Sequence, residues 1–282
     1  MVKLFSGEHY LLGPNPNNSQ LYRPVRGMDH KGHESKIDVI EEKPLTIFLN
    51  SQEIVTSMTI GDYPEYLAVG FLINQKMLNK DEKVNAVDFD GELNVVVVRT
   101  SQETNYEEKL QKKIRTSGCA LGTTFGDIME DLDKVDLPER RLHTSWMYEL
   151  TAKINRTNSL YLKAGAIHGT VLCHKSEPLV YMEDVGRHNA VDKVCGWMFF
   201  ENESPDDKIL YTTGRLTSEM VIKTALMGIP ILISRSGFTA WGVELARKVG
   251  LTVIGRLRGQ RFVCLSGENR LVFDEKLADI ES

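Results

Sequence analysis

Positive charge is not in excess in this 282-residue chain: 34 Lys and Arg stand against 39 Asp and Glu, a net charge of −5. No global basic field therefore points to DNA or RNA, and nucleic acid is not expected as a partner. An anionic ligand would have to be met by a local basic cluster. Long apolar runs are missing too. No stretch approaches the roughly 20 apolar residues that a membrane-spanning helix needs. Residues 1–10 carry Lys3, Glu8 and His9 and have no continuous apolar segment, so no secretory signal is expected there.

Cysteine is scarce and unpaired in pattern. The four are Cys119, Cys173, Cys195 and Cys264, with no Cys-x-x-Cys and no common zinc spacing, so no metal site is expected. Without a signal, a reducing cytoplasmic compartment and free thiols are expected. Cys173, Cys195 and Cys264 sit in apolar surroundings and read as small buried side chains. Cys119 differs. It lies in Thr116-Ser117-Gly118-Cys119-Ala120-Leu121-Gly122, with no helix or strand pattern to bury it and with Lys112, Lys113 and Arg115 nearby to favour a thiolate. An ordinary loop cysteine is the plain alternative. His30 and His33 read as solvated loop residues rather than ligands.

Apolar residues make up 41% and charged residues 26%, enough for a packed core in one large or two ordinary domains. Residues 1–35 read as a flexible N-terminal arm, because 13–33 are rich in Pro, Asn and Gly with little periodicity. Residues 36–116 read as a small α+β domain. It has a hairpin at 44–49 and 53–59, a helix opened by Asp62 and Pro64, and a second hairpin turned by Asp90-Gly91. After a cysteine loop at 117–123, residues 124–282 alternate. Helices are expected over 124–133, 139–154, 168–174, 188–199, 217–227 and 239–249. Strands are expected near 159–163, 179–183, 208–212, 230–234, 251–256 and 261–265. That alternation predicts a three-layer α/β domain.

The densest polar block runs Glu183-Asp184-Val185-Gly186-Arg187-His188-Asn189-Ala190-Val191-Asp192-Lys193-Val194. A strand-like run precedes it, and Ala190, Val191, Val194 and Trp197 follow at helical spacing. A strand, a glycine turn and a helix start gather free backbone N–H groups, which is where α/β proteins hold ligands. A solvated loop capped by Asn189 is the plain alternative. The block resembles the signature of the formate dehydrogenase accessory sulfurtransferases. Further stretches agree in the same order: 45–50, 67–73, 165–169, 214–223, 234–239 and the Arg-rich turn 256–261, together spanning about 38–273.

The resemblance implies a three-layer mixed-sheet α/β domain with a cytidine-deaminase-like core, beside the smaller α+β domain. It also implies a sulfurtransferase that takes sulfur from a cysteine desulfurase as a persulfide on Cys119. The sulfur would pass to the molybdenum or tungsten bis-pterin guanine dinucleotide cofactor, so that formate dehydrogenase matures. A homodimer is the default for a cytosolic protein of this type. Many members carry Cys-Gly-x-Cys-Gly in the loop, whereas this chain has a single cysteine, with Gly118 and Leu121 where the pair would fall. A non-catalytic cofactor chaperone is the alternative that this departure supports.

Candidate ligand contacts fall at turns. His168, between Gly165 and Gly169, has no Glu two residues on, and Pro-Cys-x-x-Cys is absent from the chain, which disfavours a zinc deaminase. His168 is then a structural histidine or a ligand contact. Gly186, Arg187 and His188 form one turn. Arg215, followed by Thr217 and Ser218, forms a second, and Ser234, Arg235 and Ser236, followed by Thr239, a third. Such turns suit phosphates, although plain helix capping would explain either of the last two alone. Arg256, Leu257, Arg258, Gly259, Gln260 and Arg261 place three guanidiniums in six residues, able to hold phosphate bidentately or to sit exposed on a β-turn. The resemblance implies that this turn holds the guanine dinucleotide.

Overall fold

The computed structural model describes residues 10–101, 114–115, 121–122 and 125–275. The first regular element is an antiparallel hairpin of Tyr22–Met28 (β1) and Glu34–Ile40 (β2). Part of the expected irregular arm is therefore paired strand. Nothing marked it, because most of its side chains face solvent and so carry no clear apolar period.

Lys43–Leu49 (β3), Gln52–Thr59 (β4), helix Pro64–Asn74 (α1), Val84–Asp90 (β5) and Val95–Thr100 (β6) build a four-stranded sheet in the order β4-β3-β6-β5. Leu45, Ile47 and Leu49 of β3 and Val96 and Val98 of β6 point into the core, the two-residue period of a half-buried strand. Pro64 opens α1, where its missing N–H costs no bond. Almost every residue of α1 is buried, because it is sandwiched between this sheet and a second helix.

That second helix belongs to a mixed α/β unit. Short strands Ile114–Arg115 (β7) and Leu121–Gly122 (β8) pair with each other, and helix Phe125–Leu132 (α2) follows. Next come Leu142–His143 (β9), Thr144–Arg156 (α3), Leu160–Ala164 (α4), His168–His174 (β10), Glu177–Asp184 (β11) and Arg187–Glu201 (α5). The chain continues with Lys208–Thr212 (β12), Ser218–Met227 (α6), Ile231–Ser234 (β13), Ala240–Lys248 (α7), Thr252–Arg258 (β14), Arg261–Ser266 (β15) and Leu271–Val272 (β16). A six-stranded sheet runs β11-β10-β12-β13-β14-β15, parallel through β12, β13 and β14 and antiparallel at both flanks.

Successive residues of the central strands face opposite layers. Leu210, Leu232 and Val253 pack toward α5, α6 and α7. Ile209, Ile231 and Ile254 pack toward Met147, Leu150 and Ile154 of α3. These strands are buried on both faces, so they read as continuous apolar runs. The first of those layers also contains Leu45, Ile47, Val96 and Val98, so the core of the small sheet is continuous with that of the large one. Close backbone contact joins them. A Cβ on Gly70 of α1 would lie 1.8 Å from the Asp192 carbonyl oxygen, and one on Gly196 of α5 would lie 2.0 Å from that of Tyr66.

Two expected elements are exchanged. Residues 168–174, expected as a helix, form strand β10, between β11 and β12 and buried except at its two terminal histidines. A short apolar run has no period that separates the two states. Residues 159–163, expected as a strand, form the start of α4. Its N-terminus is capped by the carboxylate of Glu183, which accepts from Leu160 N at 2.9 Å and Tyr161 N at 3.2 Å. The local N-cap, Ser159, accepts from Leu162 N at 3.4 Å, but the Glu183 contacts come from a distant strand and cannot be read from the helix itself.

Candidate functional site

Strand register brings most of the candidate residues to one end of the large sheet. His168 stands opposite Asp184, Thr170 opposite Thr212, and Thr212 beside Ser234. The turns beyond these residues are laced by backbone bonds. Thr213 N donates to Gly169 O at 3.0 Å, Leu216 N to Gly237 O at 2.9 Å, and Arg256 N to Ser236 O at 2.7 Å. Sheet edges of this kind, at the ends of parallel strands, are where open α/β folds bind ligands.

His168 lies at the centre of the positive charge. Its imidazole is held below its ordinary pKa by burial first, then by the fields of Arg187, Arg215, Arg235 and His188. Burial and these neighbours both favour its neutral form. Thr213 Oγ1 lies 3.4 Å from His168 Nδ1 and accepts from Gly169 N at 3.0 Å. The stem of Arg187 packs over Gly214, where an added Cβ would come within 2.8 Å of its Cδ. The Arg235 guanidinium lies 4.9 Å over the ring of Tyr161. Together with Gly169, Tyr181, Tyr211 and Thr213, these two residues line a small cleft of about 60 Å³. Tyr161 is absent from the sequence-based candidates because its segment was expected as a strand.

Several candidates serve the fold instead. The Ser234 hydroxyl is fully buried, donates to Gly214 O at 2.6 Å and accepts from Ser236 N at 2.9 Å, so it braces two turns rather than facing a ligand. Gly186 N donates to Asp184 Oδ1 at 3.2 Å. His188 Nε2 is 2.8 Å from Glu219 Oε2, and burial holds its pKa down despite that partner. Asn189 is not a helix cap; it lies inside α5 and donates to Met58 O at 2.8 Å and Asp184 Oδ1 at 3.1 Å.

The rest of the 183–194 block is an internal ion lattice. Lys193 Nζ meets Asp184 Oδ2 at 2.6 Å, Glu183 O at 3.0 Å and the carboxylate of Asp62. Lys223 Nζ grips both oxygens of Asp192 at 2.8 and 2.7 Å. Two of these residues reach the small-sheet unit: Lys193 through Asp62, and Asp192, whose Oδ1 also accepts from Asn74 Nδ2 of α1 at 2.7 Å.

The arginine turn extends past the same sheet end. A register shift between Gly255 and Arg258 marks a bulge, and Arg256 adopts a left-handed φ of 55°. Leu257 is buried at 1% exposure, so its side chain is a core residue. Arg258 pairs in register with Arg261 across Gly259 and Gln260, with both arginines exposed. Gly259 takes a φ of 58°, which a side chain would strain.

Cys119 lies outside the described residues, in a segment whose flanks Arg115 and Leu121 are paired. The other three thiols are disarmed by desolvation: Cys173 and Cys195 are buried, while Cys264, expected as a buried side chain, is half-buried. Cys173 is pushed well above its ordinary pKa, Cys195 to about 12 and Cys264 to about 11. Among the described residues no group of three or more His, Cys, Asp or Glu side chains could hold a metal ion. Nor is any helix long and apolar enough to cross a membrane.

Fold and site together define a mixed-sheet α/β protein with arginines gathered at one end of its large sheet. The chain belongs to the FdhD/NarQ family, whose profile matches residues 40–272. It is 30% identical over 242 residues to the sulfur carrier protein FdhD of Listeria monocytogenes EGD-e, covering 84% of this chain and 93% of that one. With the sulfur carrier protein FdhD of Bacillus subtilis 168 it shares 28% identity over 237 residues, 82% of this chain and 90% of that one. A crystal structure from Desulfotalea psychrophila, assigned as a formate dehydrogenase accessory protein, superposes with a TM-score of 0.72 at 27% identity. That match covers 89% of this chain and 98% of the other.

Proposed function

We propose that this protein is a sulfurtransferase in the maturation of formate dehydrogenase. In this reading the Cys119 thiolate attacks the terminal sulfur of a cysteine desulfurase persulfide. The desulfurase cysteine leaves as its thiolate, and Cys119 holds the sulfur as Cys–S–SH. The terminal sulfur would then pass, as sulfane sulfur, to the reduced molybdenum or tungsten bis-pterin guanine dinucleotide cofactor, bound as substrate at the basic sheet edge; Cys119 would leave as its thiolate and the substrate would supply the two electrons that make the sulfur a sulfide. The observation that carries the reading is the gathering of Arg187, Arg215 and Arg235 around His168, in a chain whose net charge would otherwise repel a pyrophosphate. The desolvated states of Cys173, Cys195 and Cys264 support Cys119 as the carrier, since a buried thiol is a poor nucleophile. The same reading includes a cytidine-deaminase-like core, a cytoplasmic location and a homodimer.

Mass spectrometry after incubation with a desulfurase and cysteine tests it. Added sulfur is expected on the Cys119 peptide and absent from Cys119→Ala. Sulfur on Cys173, Cys195 or Cys264 would overturn the assignment. The single cysteine of the loop favours a second reading, a non-catalytic chaperone that binds the dinucleotide and docks on the dehydrogenase. Retained nucleotide binding with no sulfur uptake would select it.

A further inference from the structure

The end of α5 remote from the basic edge carries a second, oppositely charged feature. With 15 residues, α5 puts Glu201 about 20 Å from Arg187. There the N-terminal turn of α1, the C-terminal turn of α5 and strand β5 enclose an open groove of about 660 Å³. Its floor is aromatic. Tyr63 and Tyr66 stack at 5.7 Å, Tyr66 and Phe200 lie 5.6 Å apart, and Phe199 meets Phe200 edge-on at 5.7 Å. Phe200 is 43% exposed, a large apolar surface with no cover.

The surrounding charge is acidic. Glu65 and Glu82 line the groove against Lys83 alone, and Glu201 is near enough to act with Glu65 on the Tyr66 hydroxyl, whose pKa is raised chiefly by burial. Glu82 Oε2 accepts from Asn79 N, while its Oε1 is shielded from water and has no hydrogen-bond partner. One wall is the edge strand of the small sheet, contributing Val84, Ala86 and Val87. An edge strand is open to pairing with an extended chain.

We infer that this groove docks an extended, basic segment of a partner protein. The segment pairs with β5 and lays an Arg or Lys side chain over Tyr66 and Phe200, between Glu65, Glu82 and Glu201. Aromatic faces and carboxylates both favour a cation. A second copy of this chain would bring carboxylates against carboxylates, so it is not the complementary occupant. The inference goes beyond the sulfur-transfer reading and does not depend on it, and a partner held here leaves the basic edge open.

The test is fluorescence anisotropy at physiological salt with a labelled, end-blocked decapeptide of alternating Arg and Thr. The wild-type protein is expected to bind it and not the Glu-Thr counterpart. Glu65→Gln with Glu201→Gln should weaken binding about tenfold, and Tyr66→Ala by at least about fivefold. Glu244→Gln with Glu268→Gln, an equal charge change at exposed sites elsewhere, should leave it within about twofold. Amide exchange on β5 should slow when the peptide is bound. If Tyr66→Ala fails to fold, Phe200→Ala replaces it. No binding by wild type, equal weakening by the two charge pairs, or binding without protection of β5 would overturn the inference.

Discussion

Glu183 shows how a residue of the signature block is used twice. Its carboxylate caps α4 and so positions Tyr161 beneath Arg235. Its pKa is raised from 4.5 to about 7, because burial outweighs the two N–H donors that stabilise the charge. Between those values the folded protein keeps a proton that the unfolded chain has lost. This contribution to stability is thus full below pH 4.5 and is lost as pH rises through about 7. Glu183→Gln should flatten that dependence, as read from urea midpoints across the window; parallel curves for both proteins would place the coupling elsewhere. At the arginine turn, Arg258→Ala with Arg261→Ala should weaken GDP binding roughly tenfold or more, because charge-assisted contacts contribute about 1.5–3 kcal/mol each. Both side chains are exposed, so thermal unfolding should not change. Calorimetric titration decides, and equal affinities would move the nucleotide away from this turn.

Among the elements, the crossing of α1 and α5 is the tightest joint. Both helices are covered on nearly every side, and Gly70 and Gly196 let their backbones touch. Gly70→Ala and Gly196→Ala should each destabilise the protein by about 2 kcal/mol or more, since an added methyl has only backbone to displace. Gly237→Ala, with nothing within 4 Å of the added atom, is the matched control. Urea unfolding measures all three; a neutral Gly196→Ala would mean that the helices part without cost. Elements with strong local signals were legible. Pro64 opens α1 as expected, and Gly228, in the left-handed conformation, closes α6. Strand β10 and helix α4 were not, because one is a short run buried on both faces and the other has two of its first N–H groups satisfied by the distant Glu183.

At the scale of the whole molecule, the two sheets behave as one body because charges are buried where they meet. Lys193 is fully enclosed between Asp62 and Asp184; burial works against its charge, but the two carboxylates more than offset this and raise its pKa. Removing it leaves two carboxylates without their counter-ion. Lys193→Met should therefore cost about 3–5 kcal/mol. The unfolding transition should fall together for probes in the small and large sheets. Separate transitions in the wild-type protein would show instead that the two sheets fold independently.

By itself the sequence determined the alternation of strands and helices, the apolar runs of the central strands, the turn positions of the basic residues and the family resemblance. These are local patterns, set by side-chain period and turn chemistry. Only the tertiary structure decided which polar residues face a ligand and which are spent inside. The sequence block 183–194 reads as one cluster, yet Arg187 turns to the basic edge while Asp184, Asp192 and Lys193 lock the core. Helical geometry sends neighbours in sequence to different faces, and the partners that neutralise them, Asp62 and Lys223, come from distant parts of the chain. The aromatic, acidic groove has the same origin. Tyr66, Glu82 and Phe200 share no motif, and only the packing of α1, α5 and β5 brings them together.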